Sequence, residues 1–414
     1  VHSPPPTRLL SLDLVRGVAL LGILLLNIVS FAMPEAAYFN PRAYGGWHGA
    51  DRIVWLVNFL FFDGRMRGLF SFLFGASLLI VTDAAEAAGR APARAHYARM
   101  AWLLVFGLAH LWLVWHGDIL AHYALAGMIA YPLRRLPLPQ LLGLGGVLVL
   151  ASTAVFAMLA HDAWRLSLLP PGTHTTASAL VNAFGTPPQS RIAAELAVHR
   201  GSYAGVVAHR FDEYAGTPIA MLSLYGWQTL AYMLFGMAAL RSGLLTGDWP
   251  RARLLRWWRR SWAIALPVYA LLSVWLIAAQ FSLFAVLTAA VTLPELVRPV
   301  AILGWACLIL LLARPDGWLT TRIAAVGRMA FSNYIATSLL CVLLFDGYGL
   351  GWFGQLSRWQ LYPVVAVVWA MLLAWSAPWL AQFRYGPLEW LWRSLARGRL
   401  QPIRNSLANR SQLH

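Results

Sequence analysis

The sequence predicts an all-α integral membrane protein of about ten transmembrane helices, with one or two short re-entrant or interfacial helices and cytoplasmic N- and C-termini. Three observations carry this expectation. Of 414 residues, 59% are hydrophobic and 12% charged. Mean hydropathy is positive. Apolar runs recur along the whole chain at about the length the hydrocarbon of a bilayer demands. A large soluble core is excluded.

The runs place spans at 14–33, 69–82, 101–115, 119–133, 141–159, 219–240, 262–279, 300–313, 325–345 and 364–380. The first follows Arg8 with no small-residue cleavage site behind it, so it reads as a retained helix and not a signal peptide. Ahead of the second, 53–62 is too short to span and is interrupted by Asp63-Gly64-Arg65-Met66-Arg67-Gly68, which suits a half-helix. The third and fourth form a hairpin through Trp115-His116-Gly117-Asp118. The fifth carries Gly143, Gly145 and Gly146, small residues that permit close helix contact and point to a homodimer. The longest polar segment, 161–216, starts Pro/Thr-rich and turns helix-like over 189–214, as a lid or a solvated connector would. After the seventh span, 281–293 ends at Pro294 and is the second re-entrant candidate. The chain is thus one polytopic domain, 1–414: an N-terminal bundle (8–160), the external loop (161–216), a C-terminal helix region (217–401) and a cytoplasmic tail (402–414).

Orientation follows from charge. The 32 basic residues are all arginine, against 16 acidic residues, for a net charge of +16. With the N-terminus inside, 21 arginines fall on the cytoplasmic side and eight outside, four of those in the long external loop. Anionic headgroups account for this surplus, and no basic stripe with interleaved aromatics lies outside the spans, so nucleic acid is not an expected partner. Membrane lipids are. Cys307 and Cys341 both sit in apolar runs and read as small core residues, not a disulfide.

Ionisable residues inside spans need a partner or a purpose. Asp13 and Arg16, three apart on one helical face, suit an ion pair at the cytoplasmic rim or a contact to phosphate. Asp63, Arg65 and Arg67 are expected to pair with one another or with a polar ligand. The densest cluster runs from His110 through His116 and Asp118 to His122. A carboxylate that fixes a histidine's tautomer makes it a general base, whereas histidines bonded to interfacial carbonyls need no function. His116, Asp118 and His122 have metal-ligand chemistry, but a tight hairpin fixes no geometry and no metal is expected. His48, near Asp51, is a second external candidate. The loop residues His174, His199, His209, Asp212 and Glu213 need no special explanation. No phosphate-binding glycine loop, Gly-x-Ser-x-Gly elbow or His-x-x-x-x-Asp acyltransferase motif occurs.

Several stretches carry a family resemblance. The opening Arg8-Leu9-Leu10-Ser11-Leu12-Asp13-Leu14-Val15-Arg16-Gly17, with Asn27 following, resembles the start of YeiB-like proteins, bacterial inner-membrane proteins with a domain of unassigned function. Phe72-Leu73-Phe74-Gly75, Gly117-Asp118-Ile119-Leu120, Gly327-Arg328-Met329-Ala330, Ser332-Asn333-Tyr334 and Tyr385-Gly386-Pro387-Leu388-Glu389-Trp390 extend it over nearly the whole chain. That family is similar to a wider group of membrane acyltransferases. The kinship implies a helix bundle with a mid-membrane cavity where cytoplasmic acyl-CoA, a co-substrate and not a tightly bound cofactor, meets an envelope acceptor. It marks Arg16, Arg328, Asn333, Tyr334 and Glu389 as binding residues.

Two positions depart from the pattern. Many sugar acyltransferases of the wider group carry a histidine eleven residues after the arginine, where this chain has Asn27; Thr337 stands where the family often shows glutamine. Asparagine is no base near neutral pH. Either another histidine serves, His110 first and His48 second, or the cavity binds a lipid or quinone, or transports a small molecule, without catalysis. In the catalytic version Asp118 orients His110 and Arg16, Arg65 and Arg67 contact the anionic donor.

Overall fold

The computed structural model describes residues 7–168 and 178–405; His174 and the end of the tail lie outside them. The helices are α1 (Thr7–Ala32), α2 (Ala50–Phe61), α3 (Arg65–Ala87), α4 (Pro92–Leu113), α5 (Leu120–Ala130), α6 (Leu138–Ser167), α7 (Ser178–Phe184), α8 (Gln189–His199) and α9 (Tyr203–Tyr214). They continue as α10 (Thr217–Arg241), α11 (Arg251–Ala278), α12 (Leu283–Ala285), α13 (Pro294–Leu312), α14 (Trp318–Arg328), α15 (Ala330–Phe345), α16 (Leu361–Gln382) and α17 (Pro387–Arg397). Among the described residues there is no strand, only one isolated bridge between Phe383 and Arg404.

Among the described residues, six segments are long and apolar enough to cross a membrane: Leu10–Ala32, Ala50–Ala87, Leu138–Ser167, Arg251–Ala278, Leu283–Leu312 and Leu361–Gln382. A seventh is α14 with α15, a pair bent by 85°. The expected continuous span 325–345 is therefore broken, at Met329. Each of the two re-entrant candidates leads into the span that follows it: 53–62 lies in α2, a separate helix ahead of α3, and 281–293 runs into α13. Pro294 has no N–H to give, and a π-helix over Val286–Thr292 takes up the mismatch ahead of it, Leu293 N donating to Thr288 O at 2.9 Å. Of the other expected spans, α4 and α10, with 22 and 25 residues, are long enough but less apolar than these, and α5, with 11 residues, rises only about 16 Å.

Packing centres on close crossings. Gly75 of α3 and Gly236 of α10 each lie against the other's backbone, and Leu69, Leu73, Met233, Leu234 and Met237 around them are buried. On α6, Gly145 packs on Phe235 of the same chain, whereas Gly143 and Gly146 face open space.

The helix-like stretch 189–214 consists of two helices, α8 and α9, with a break at 200–202. They cap the end of the bundle opposite the start of α1. Gly347 N donates to His199 O at 2.7 Å, and Glu35 N donates to a Glu195 carboxylate oxygen at 2.7 Å. His199 is not solvated: its Nδ1 lies 2.8 Å from Asp346, which also pairs with Arg210 at 3.3 Å. Burial and the neighbouring Glu195 push the Glu35 carboxyl up to about 7, Arg191 opposing them. A raised acid is protonated in the fold, so its stabilisation is present at low pH and is lost as pH rises from about 4.5 to about 7. Buried His116 is held neutral and acts in the opposite sense, so a difference is needed. The melting temperature of the wild type minus that of Glu35→Gln should fall across this window, by up to about 3 kcal/mol of stability. A flat difference would refute the buried acid.

Candidate functional site

The break at Met329 builds the site. Gly327 lets α14 press on α1; a Cβ there would stand 1.9 Å from Asp13 O. The chain then turns and α15 begins afresh, with its open N–H groups met from α17. Glu389 accepts from Phe331 N at 2.7 Å, from Ser332 N at 3.1 Å and from the Ser332 hydroxyl. Burial pushes this carboxyl up, and the Ser332 hydrogen bonds oppose the rise. Asn333 completes the joint: its amide nitrogen donates to Val326 O and Ser376 Oγ, both at 3.1 Å, and its oxygen accepts from Trp375 Nε1 at 2.9 Å. Asn333 and most of Glu389 thus hold the bend, and Tyr334 is left projecting into a hollow.

That hollow is a cavity of about 300 Å³ walled by α1, α3, α4, α5, α14, α15 and α17. Its rim is cationic: Arg16, Arg99, Arg328 and Arg393 line it, with Asp13 and Glu389 as the acids. Arg16 donates to Asp13 at 2.9 Å and to Ser77 Oγ at 3.0 Å. Arg99 lies 4.0 Å over the Trp392 ring and Arg393 4.4 Å over Tyr385, so aromatic faces hold both guanidiniums in place. His96 is on the same wall; its Nε2 lies 2.9 Å from Gly127 O, a pure acceptor, which assigns the proton to Nε2 and leaves the lone pair on Nδ1. Deeper in, the lining is apolar, with Leu20, Ile23, Phe70, Phe74 and Leu103, and ends at Tyr334. A charged rim over an apolar throat suits an amphiphile with an anionic head.

Beyond Tyr334 a second hollow of about 10 Å³, the size of one water, shares Leu20, Ile23 and Tyr334 with the first. Asn27, Trp115 and Thr337 line it. His110 and Asp118 stand one layer behind: the His110 ring is 5.2 Å from that of Tyr334 and 6.3 Å from that of Trp115. His110 Nδ1 is 2.8 Å from Asp118 Oδ1, and both side chains are 1% exposed. The other Asp118 oxygen accepts from Ala121 N at 2.8 Å at the start of α5. The carboxylate therefore fixes Nδ1 as the protonated nitrogen, and Nε2 is buried without a partner. Neither residue lines either cavity.

The remaining candidates are dispersed. His116 stacks on Tyr214 of α9 at 4.7 Å, and His122 reaches Thr229 of α10 at 2.8 Å, so the three hairpin histidines face three directions. No group of three metal-ligating residues occurs among the described residues. His48 is exposed in the loop before α2, at the far end of α1 from the cationic rim. Asp63, Arg65 and Arg67 sit at the start of α3, whereas Ser77 of the same helix reaches the rim; 12 residues separate Arg65 from it, about 18 Å along the axis.

The family described as "Protein of unknown function (DUF418)" matches residues 239–399. Over 400 residues, 94% of this chain and 96% of the relative, the sequence is 36% identical to the uncharacterized protein YeiB of Escherichia coli (strain K12). The chain belongs to the YeiB-like family. A second relative, the uncharacterized protein YxaH of Bacillus subtilis (strain 168), is 29% identical over 410 residues, 95% of each chain. A third, an uncharacterized 39.9 kDa protein from the amylase 3' region of Bacillus acidopullulyticus, is 25% identical over 398 residues, 96% of each. No solved structure matches.

Within this YeiB-like chain, sequence reasoning reached Asp13, Arg16, Arg328, Tyr334 and Glu389 at the cavity but missed His96, Arg99 and Arg393. A signal for each of these existed. His96 and Arg99 are three apart at the head of α4, on one face, just before the apolar run begins. Arg393 follows Glu389 by four on α17 and shares its face in the same way.

Proposed function

We propose that this membrane protein is an acyltransferase that takes an acyl group, most simply acetyl, from cytoplasmic acyl-CoA and passes it to an acceptor at the envelope face of a bacterial inner membrane. The observation that carries the reading is the cationic rim continuous with an apolar throat: four arginines for the phosphates of the donor, and a narrow apolar passage for its thioester arm, leading toward Tyr334. The orientation that goes with it has ten crossings, counting α4, α5, α10 and the bent α14–α15 pair, both termini in the cytoplasm and the arginine rim facing CoA.

Chemistry in this scheme falls to His110. The acceptor's hydroxyl or amine proton passes to Nε2 as its oxygen or nitrogen bonds the acyl carbon; the C–S bond breaks, and the proton goes on to the departing thiolate. Asp118 stabilises the imidazolium that forms. The step requires the Tyr334 or Trp115 ring to turn aside, because they separate His110 from the hollow.

The same separation favours a second reading, a non-catalytic protein that holds an anionic lipid or a quinone in the throat. Purified protein titrated with radiolabelled acetyl-CoA decides between them. Saturable binding is expected, weakened about tenfold or more in Arg16→Gln and in Arg328→Gln, since a charge-assisted hydrogen bond contributes about 1.5–3 kcal/mol. No saturable binding, with a lipid or quinone recovered by organic extraction, would overturn acyl transfer in favour of the second reading.

A further inference from the structure

Away from the cavity, between α3, α10, α11 and α13, a second concentration of charge is out of balance. Arg65 and Arg298 are buried, at 0% and 5% exposure, and Arg67 is half-buried. Two carboxylates answer these three guanidiniums: Glu295, ion-paired with Arg298, and Asp63 at the edge. The hydrogen bonding is lopsided in the same direction. Gln228 Oε1 accepts from Arg67 at 3.4 Å and from Arg298 at 3.3 Å, and its amide nitrogen is a buried donor with no acceptor. Arg65 donates through one terminal nitrogen to Phe59 O at 2.7 Å and Asp63 O at 3.1 Å, while its Nε and other terminal nitrogen have no partner. Arg298 Nε is in the same condition, as is the hydroxyl of Tyr269, whose ring lies 3.5 Å from the Arg65 guanidinium. Every orphaned nitrogen here is a donor. Gly64 makes the arrangement possible: its backbone is left-handed at φ +67°, and a Cβ would stand 2.3 Å from Arg298 Nε, so the bare glycine lets Arg298 rest beside Arg65.

Unmet donors and an unmatched positive charge buried in a membrane bundle call for a compact group that is negative and rich in acceptors. We propose that Arg65, Arg67 and Arg298, with Gln228, form a second binding site that takes a single small oxyanion, the carboxylate or phosphate group of a ligand. Three planar forks and an amide suit the flat or tetrahedral array of oxygens such a group presents. Asp63 and Arg67, both partly exposed, mark the approach. The site lies about 18 Å along α3 from the cationic rim and stands whether or not acyl-CoA binds there.

Thermal melting of the purified full chain, titrated separately with acetate, inorganic phosphate and chloride at matched ionic strength, tests it. Acetate or phosphate should raise the melting temperature along a saturating curve that chloride does not reproduce, and the better of the two names the group. Arg67→Gln should weaken the midpoint at least tenfold, and Arg65→Gln likewise; because Arg67 is half-buried, its variant keeps the test decisive where the other fails to fold. Arg16→Gln, at the rim, should leave the midpoint within about twofold. The proposal is overturned if the wild type shows no saturable shift, if Arg67→Gln keeps the wild-type midpoint, or if the shift vanishes in Arg16→Gln alone, which would place the anion at the rim.

Discussion

Gly236→Val is expected to remove nearly all folded protein. A Cβ at 236 would stand 1.7 Å from Phe72 O, and one at Gly75 would stand 1.9 Å from Met233 O, so α3 and α10 cross through two reciprocal gaps in their side-chain cover. The obstacle in each case is backbone carbonyl, which no rotamer change moves aside. Valine would force the helices apart and open voids around Leu73 and Met233, buried at 1% and 0% exposure. Overpacking alone costs about 1–3 kcal/mol, and the voids add to it. Because lipid tails are as apolar as leucine, separated helices have little hydrophobic drive to close again, and close packing is what such crossings rest on. The monodisperse fraction after detergent extraction, read by gel filtration, should collapse for Gly236→Val and fall partway for Gly236→Ala. Gly146→Ala, where nothing lies within 4 Å, should match the wild type. Equal yields from Gly236→Val and wild type would mean that α3 and α10 do not meet in this way.

How far the sequence discloses the structure depends on the range of the interaction responsible. Each of the ten expected segments falls largely within helix, because bilayer thickness writes a run of apolar residues into the chain and the signal is local. His110 and Asp118 were legible as a pair for the same reason, being eight residues apart across one tight hairpin. The bend at Met329 left no such trace. Gly327 and the apolar residues after it read as uninterrupted helix, and what stabilises the new helix start is Glu389, 57 residues beyond Ser332. The His199–Asp346 pair joins positions 147 apart, so His199 looked like a loop residue. The cationic rim gathers arginines from α1, α4, α14 and α17, and only the fold reveals that they share one opening. Periodicity likewise says which face of α4 carries His110, but not that the ring of Tyr334 stands between it and the hollow.

Asp118→Ala and Asp118→Asn are expected to separate the structural from the chemical role of this buried pair. Alanine strips acceptors from two buried donors, His110 Nδ1–H and Ala121 N–H, and an orphaned buried donor costs about 1–3 kcal/mol. The bolt between α4 and α5 is then lost, and the melting temperature should drop by many degrees. Asparagine fits the space with one oxygen and one amide. Its oxygen can accept from Ala121 N only if its NH₂ faces His110, which then must present an unprotonated Nδ1 and carry its proton on Nε2. Stability should largely survive, but Nε2 has no lone pair left to receive a proton. Under the acyltransferase reading, turnover in Asp118→Asn should fall about 10²–10⁴-fold, while acetyl-CoA affinity stays within about twofold because the arginine rim is untouched. Arg16→Gln should show the reverse, a weaker affinity with turnover recovered at saturating donor. If Asp118→Asn turns over like the wild type, His110 is not the base, and the pair serves only to lock α4 against α5; His96, on the wall of the larger cavity, is then the histidine to replace next.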